Sequence, residues 1–171
     1  VPAPNRLLVA DFTYVRLAAG TFAYTAFVID AFAGRIVGWE CSTSKHTTFV
    51  ERGHCPGRGV PHEAGQSPAK QGDSSLGRRV SVYLGAPDRD AAPERPQPSI
   101  GSVGDAYDTL AETTIGLYKT ECIRDDSPFR RGPLTGLSNL EAITADWVHW
   151  YNTSRLMHRL DRRPPAEAEA D

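Results

Sequence analysis

Asp11 is an acid set inside an apolar and aromatic run, Val9-Ala10-Asp11-Phe12-Thr13-Tyr14-Val15. Alternation along a strand places Val9, Asp11, Thr13 and Val15 on one face, so the carboxylate shares a side with groups that belong in a core. Burying a charged carboxylate is costly unless it is partnered. A hard divalent cation is one common partner and backbone N–H groups at a strand edge are another, and this strand by itself favours neither. A second acid, Glu112, falls in the first turns of a helix expected from Asp108 to about Glu121, with Lys119 two turns later on roughly the same face. That pair suits a carboxylate facing a cation with a lysine beside a phosphate; taken alone, a solvated helix face with an acid near its start is the commoner cause of such a pair. Near the end of the chain Tyr151, Asn152 and Arg155, with Arg159, Arg162 and Arg163, form a basic and aromatic cluster. DNA phosphates would be held by such groups, and a solvated helix end would carry them nearly as well.

Strands and helices have to position these side chains. Residues 1–50 hold 19 large apolar side chains, concentrated in Leu7 to Val15, Phe22 to Ile29 and Arg35 to Trp39. The connectors Ala18-Ala19-Gly20 and Ala33-Gly34 are short and contain glycine, so the zone reads as a three-stranded antiparallel meander. Asp30, just after the second run, reads as a turn acid rather than a ligand. A short extended piece is expected at Ser99 to Val103. The helix that carries Glu112 takes Asp108 as its N-cap, and a second helix starts at Ser138, where Ser138 and Glu141 have capping-box spacing. Leu140, Ile143, Trp147 and Trp150 follow at helical intervals and should form its packing stripe. The tail from Arg162 onward offers no core residue and reads as an exposed end.

Between these foldable zones lies a stretch of different character. In residues 51–97 only six of 47 positions are Val, Ile, Leu, Met, Phe, Trp or Tyr, while 13 are Gly or Pro. Such a segment buries too little apolar surface to offset its ordering entropy, so it is expected to be disordered or misformed. The 171-residue length fits one domain, taken as 1–168, with 5–50 as the meander, 51–97 as the anomalous segment and 98–168 as the helical part. The formal charge of −2 supplies no global basic field, so any nucleic-acid contact must come from local patches. Cys41, Cys55 and Cys122 are widely spaced and odd in number, which argues against a disulfide framework and fits a reducing cytoplasm. His54, Cys55, His62 and Cys41 lack zinc-ligand spacing. No stretch is apolar for long enough to span a bilayer, and Val1 in place of Met suggests a missing start.

The strings V-A-D-F-T-Y-V, A-F-V-I-D-A-F-A-G-R-I-V-G-W and G-S-V-G-D-A-Y-D, the L-A-E-T…L-Y-K-T-E helix and W-V-H-W-Y-N-x-x-R-L occur in that order. Together they resemble the integrase core of insertion-sequence transposases, over about residues 5–50 and 98–168. The resemblance implies an α/β, ribonuclease H-like mixed sheet with flanking helices and an Asp, Asp, Glu triad that binds two Mg2+ or Mn2+ ions. It assigns Asp11 as the first acid and Glu112 as the third, each catalytic and metal-binding; Lys119, Tyr151, Asn152 and Arg155 are expected as DNA contacts from their own chemistry and placement. Two hard cations need several carboxylates because one ion activates the attacking oxygen and the other stabilises the leaving oxygen. DNA, as transposon ends and target, is the implied partner, with self-association, no membrane and no small-molecule cofactor. The implied place is the bacterial cytoplasm at the nucleoid.

The second acid should stand roughly thirty-five residues before Glu112 in a string like H-S-D-x-G-S-Q-Y, but that position is Gly77. A shifted frame restores it. Read from the second base of the Leu76 codon, the codons of Leu76 to Tyr83 permit Ser, Asp, Ala or Gly, Gly, Ser, Gln and Tyr, and the Asp falls across Gly77 and Arg78. The same shift through Arg52 to Arg58 permits Ala, Ala, Ile, Ala, Gln, Ala, Val, a helix-forming run. The family also has one more residue between the aspartate matching Asp108 and the glutamate, and a single residue rotates a helix face by about 100°. The expectation is a transposase fragment for metal-dependent DNA strand cleavage and joining, truncated, frame-damaged and inactive as written. The alternative is a non-catalytic nucleic-acid-binding remnant or pseudogene product.

Overall fold

The computed structural model describes residues 1–44, 81–84, 99–100 and 106–170. The first three strands are β1 (Leu7–Arg16), β2 (Phe22–Asp30) and β3 (Ile36–Ser42). They form the expected meander, antiparallel throughout. Two short strands follow, β4 (Ser81–Leu84) and β5 (Ser99–Ile100), and the sheet order is β3-β2-β1-β4-β5. A mixed sheet was expected, yet every described pairing is antiparallel, including β1 with β4 and β4 with β5. The observed class is α/β with an antiparallel sheet among the described residues.

β4 lies inside the stretch expected to lack structure. Four of that stretch's six large apolar residues are Val80, Val82, Tyr83 and Leu84, a local alternating run that an average over the whole segment conceals. The remainder of 51–97 lies outside the described residues.

Alternation on β1 works as anticipated: Leu7, Val9, Asp11, Thr13 and Val15 are all buried, while Tyr14 and Arg16 on the other face are exposed. The buried face meets a helical layer. α1 (Ala106–Leu117) packs on β1 and α2 (Leu137–Thr153) packs on β3. α1 buries Ala111, Thr114 and Ile115 and runs into a π-helical segment, Tyr118–Ile123, which extends the stripe through Tyr118 and Cys122. Phe27, Tyr118, Trp147 and Tyr151 make a chain of edge and tilted ring contacts, with successive centroids 4.9, 5.1 and 5.0 Å apart. These four rings join strand β2 to both helices.

Local details at three helix ends differ from expectation. α1 begins at Ala106, so Asp108 sits in its first turn instead of capping it. α2 is capped at Gly136 without a side-chain hydrogen bond, and Ser138 lies inside the helix, because Gly136 takes the extended conformation that an N-cap needs. On α2 the stripe is Leu140, Ile143, Thr144, Trp147, Val148 and Tyr151, with Trp150 only half-buried against Phe129. The tail is not an exposed end. A final turn α3 (Pro165–Ala170) packs on α2, burying Pro164, Pro165 and Ala168, and Glu169 pairs with Arg35 at 3.1 Å.

Candidate metal and nucleic-acid site

Asp11 stands midway along β1, directly opposite Phe27 of β2, and is 4% exposed. Its Oδ1 accepts the N–H of Phe12 at 2.8 Å, a backbone partner of the kind that makes a buried carboxylate tolerable. Glu112 is exposed on α1, next to the fully buried Ala111. The two acids lie on elements that pack directly against each other. Among the described residues no group of three His, Cys, Asp or Glu side chains is placed to hold a metal ion.

Lys119 is the second residue of the π-helical segment and lies with its Nζ 5.1 Å from the centre of the Tyr14 ring, three residues along β1 from Asp11. The other three expected DNA contacts each have intramolecular partners. Arg155 forks onto Glu121, its Nη2 and Nε donating to Oε1 at 2.6 and 2.9 Å, and Trp147 Nε1 donates to Oε2 of the same carboxylate at 3.2 Å. Tyr151 is 1% exposed in the core, where burial raises the pKa of its hydroxyl and a hydrogen bond with Thr114 opposes that rise. Asn152 accepts the N–H of Ile36 at 3.0 Å and donates to the Ile36 carbonyl at 2.8 Å. Arg159 donates to the Ala33 carbonyl at 2.8 Å, across Gly34, whose φ of +70° and lack of a Cβ allow the guanidinium to sit there. The sequence could not reveal these roles, because each partner lies more than thirty residues away along the chain.

Asp30 behaves as the turn acid it was expected to be. It is fully buried, and its two carboxylate oxygens accept the N–H groups of Asn5 at 2.8 Å and Phe32 at 3.0 Å. Glu121 had no such forecast. A separate buried polar cluster links Thr25, Cys41, Tyr118 and Thr144, with Tyr118 and Thr144 hydroxyls 2.7 Å apart. Desolvation pushes the Cys41 thiol and the Tyr118 hydroxyl up, and Cys122 up to about 12, so both thiols stay protonated and unreactive. Cys41 and Cys122 are free; Cys55, His54 and His62 lie outside the described residues.

Comparison with known proteins adds the decisive observation. The chain is 41% identical over 182 aligned positions, covering 99% of its length, to a putative transposase for insertion sequence element IS986/IS6110 of Mycobacterium tuberculosis. It is 40% identical over 173 positions, 97% of its length, to the transposase for insertion sequence element IS629 of Shigella sonnei. The chain is thus homologous to insertion-sequence transposases along nearly its whole length. A shorter stretch of 47 residues is 62% identical to the transposase for IS3411 of Escherichia coli. No family profile and no solved structure matches the chain. The chain spans 59% and 52% of the lengths of the first two relatives. The first alignment is longer than the 171 residues of the chain, so the relatives carry residues that have no counterpart in it. Among the described residues, no helix is long and apolar enough to cross a membrane.

Proposed function

We propose that this chain is the integrase-core portion of an insertion-sequence transposase, built on a ribonuclease H-like sheet, and that it serves DNA transposition by metal-dependent strand cleavage and joining. The observation that carries the reading is Asp11: an acid 4% exposed in the middle of a core strand, on the layer that α1 with Glu112 covers, in a chain homologous to transposases along 99% of its length. Asp11 and Glu112 would hold Mg2+ or Mn2+, and Lys119 would contact a DNA phosphate. The bound ions would supply activation of the attacking oxygen and stabilisation of the leaving one. Two carboxylates are a poor cage for two hard cations that each need about six oxygen ligands. We therefore propose that the chain as written is inactive, its second aspartate lost to a shifted frame across Gly77 and Arg78. DNA ends and target are its partners, with self-association and a place at the nucleoid.

Repairing the frame tests this. Restoring the shifted segment between about codons 51 and 97 and reinserting one residue after Asp108 should yield manganese-dependent nicking of plasmid DNA, absent from the unrepaired chain. That nicking should vanish with Asp11→Ala or Glu112→Ala. Robust cleavage by the unrepaired chain would refute the claim of damage, and a repaired, folded chain that binds no manganese would refute the metal chemistry.

A further inference from the structure

The turn end of the β1–β2 hairpin presents two aromatic rings on the sheet face opposite to buried Val15. Tyr14 and Phe22 are 50% and 48% exposed, the largest exposure of any aromatic among the described residues. Their rings meet at 86° with centroids 5.6 Å apart, forming a corner whose outer surfaces face solvent. Two cations frame it. Arg16 pairs with Phe22 across the hairpin and shares the face of Tyr14, and Lys119 lies with its Nζ 5.1 Å from the Tyr14 ring. An open cleft begins at Arg16 and continues past Leu17 and Ala18 to Arg130, where Asp125 is already paired with the Arg130 guanidinium at 2.8 Å.

Exposed rings interleaved with cations suit one kind of partner best. A water-exposed aromatic pair flanked by Arg and Lys fits a ligand with flat apolar faces on a negatively charged backbone. Paired bases within a duplex have their faces covered by neighbours and cannot reach a ring, whereas unpaired bases can. From this juxtaposition we propose that Tyr14 and Phe22, with Arg16 and Lys119, form a stacking platform for single-stranded DNA, such as a frayed or displaced strand. The proposal rests on the reading that the chain acts on DNA, but it uses neither Asp11 nor Glu112.

The test is fluorescence anisotropy of the full chain with labelled oligothymidine of about 15 nucleotides, in EDTA so that no metal site contributes. Tyr14→Ala and Phe22→Ala should each weaken binding roughly tenfold, and Tyr14→Phe should bind as the parent does. Lys119→Gln should reduce the slope of log affinity against log salt by about 0.7, the share of one phosphate on a single strand. Circular dichroism of each variant separates lost stacking from lost fold, and Tyr14→Phe and Lys119→Gln keep the question open to refutation should an alanine variant unfold. No binding by the parent chain, unchanged binding by folded Tyr14→Ala, or tighter binding of a duplex of equal length would overturn the proposal. So would a concentration-dependent dimer that the same variants abolish, which would make the rings a self-association surface. Because the manganese assay does not involve these rings, a failure here leaves the transposase reading standing, and the reverse also holds.

Discussion

The two flanks of β1 are held in different ways. On one side β2 pairs with it along all nine positions from Leu8 to Arg16, and the helical layer covers the joint. On the other side, among the described residues, β4 pairs with Leu7 to Ala10. The well-held flank comes from sequence in which alternation, turn glycines and apolar content all agree. The short flank comes from the stretch where they conflict, and consistency between levels is what gives a chain a single well-defined structure. The acid at the centre of the proposed site is the residue that follows the described β1–β4 pairing.

The largest expected effect lies on the well-held flank. Phe27→Ala removes the ring that touches both Tyr118 and Trp147 and should lower unfolding stability by about 3–5 kcal/mol in urea titrations. A loss under 1 kcal/mol would mean that the β2 side is no better packed than the other. Next comes Arg155→Ala, which leaves the Glu121 carboxylate with Trp147 as its remaining side-chain partner. Since both members of the pair retain about a fifth of their side-chain exposure, the expected cost is about 1–3 kcal/mol, below that of a fully buried pair. Glu121→Gln should cost less than Arg155→Ala, because it removes the buried charge together with its partner's attraction.

Hydrogen exchange sharpens the contrast within β1 itself. Amides directed at β2 should exchange near the global unfolding limit, and those directed at β4 at least tenfold faster. Equal rates would dissolve the distinction between the flanks. The last expected effect is absent at neutral pH and appears only in alkali. Cys122 has its folded pKa raised to about 12 from 9.0, so the unfolded chain loses this proton first. Stability is therefore complete below pH 9 and declines as pH climbs from 9 toward 12, with Tyr118 shifted in the same direction. Urea midpoints should fall across that window, and Cys122→Ala should reduce the slope.

Much of this was legible in the residues. The meander, the burial of Asp11, the turn role of Asp30 and most of the α2 stripe follow from periodicities of two and 3.6 and from turn chemistry, which are local. β4 was hidden by averaging: its alternating run is four residues long and surrounded by Gly and Pro. The docked tail was misread because Pro164, Pro165 and Ala168 are small or cyclic and carry little weight in a search for large apolar groups. At the site, Tyr151, Asn152 and Arg155 read as exposed because basic and polar residues usually are. Their partners, Thr114, Ile36 and Glu121, are brought close only by the tertiary fold.

Asn152 has a further consequence. β3 is the outer strand of the sheet on its side, and an uncovered outer strand is a template on which another chain can add. The side-chain amide of Asn152 offers one acceptor and one donor to the N–H and C=O of a single residue, Ile36, which is the pattern a neighbouring strand would present. A helix residue thus stands in for a missing strand at the place where β3 begins. It occupies the first rung of the β3 edge, the place where another chain would begin to pair.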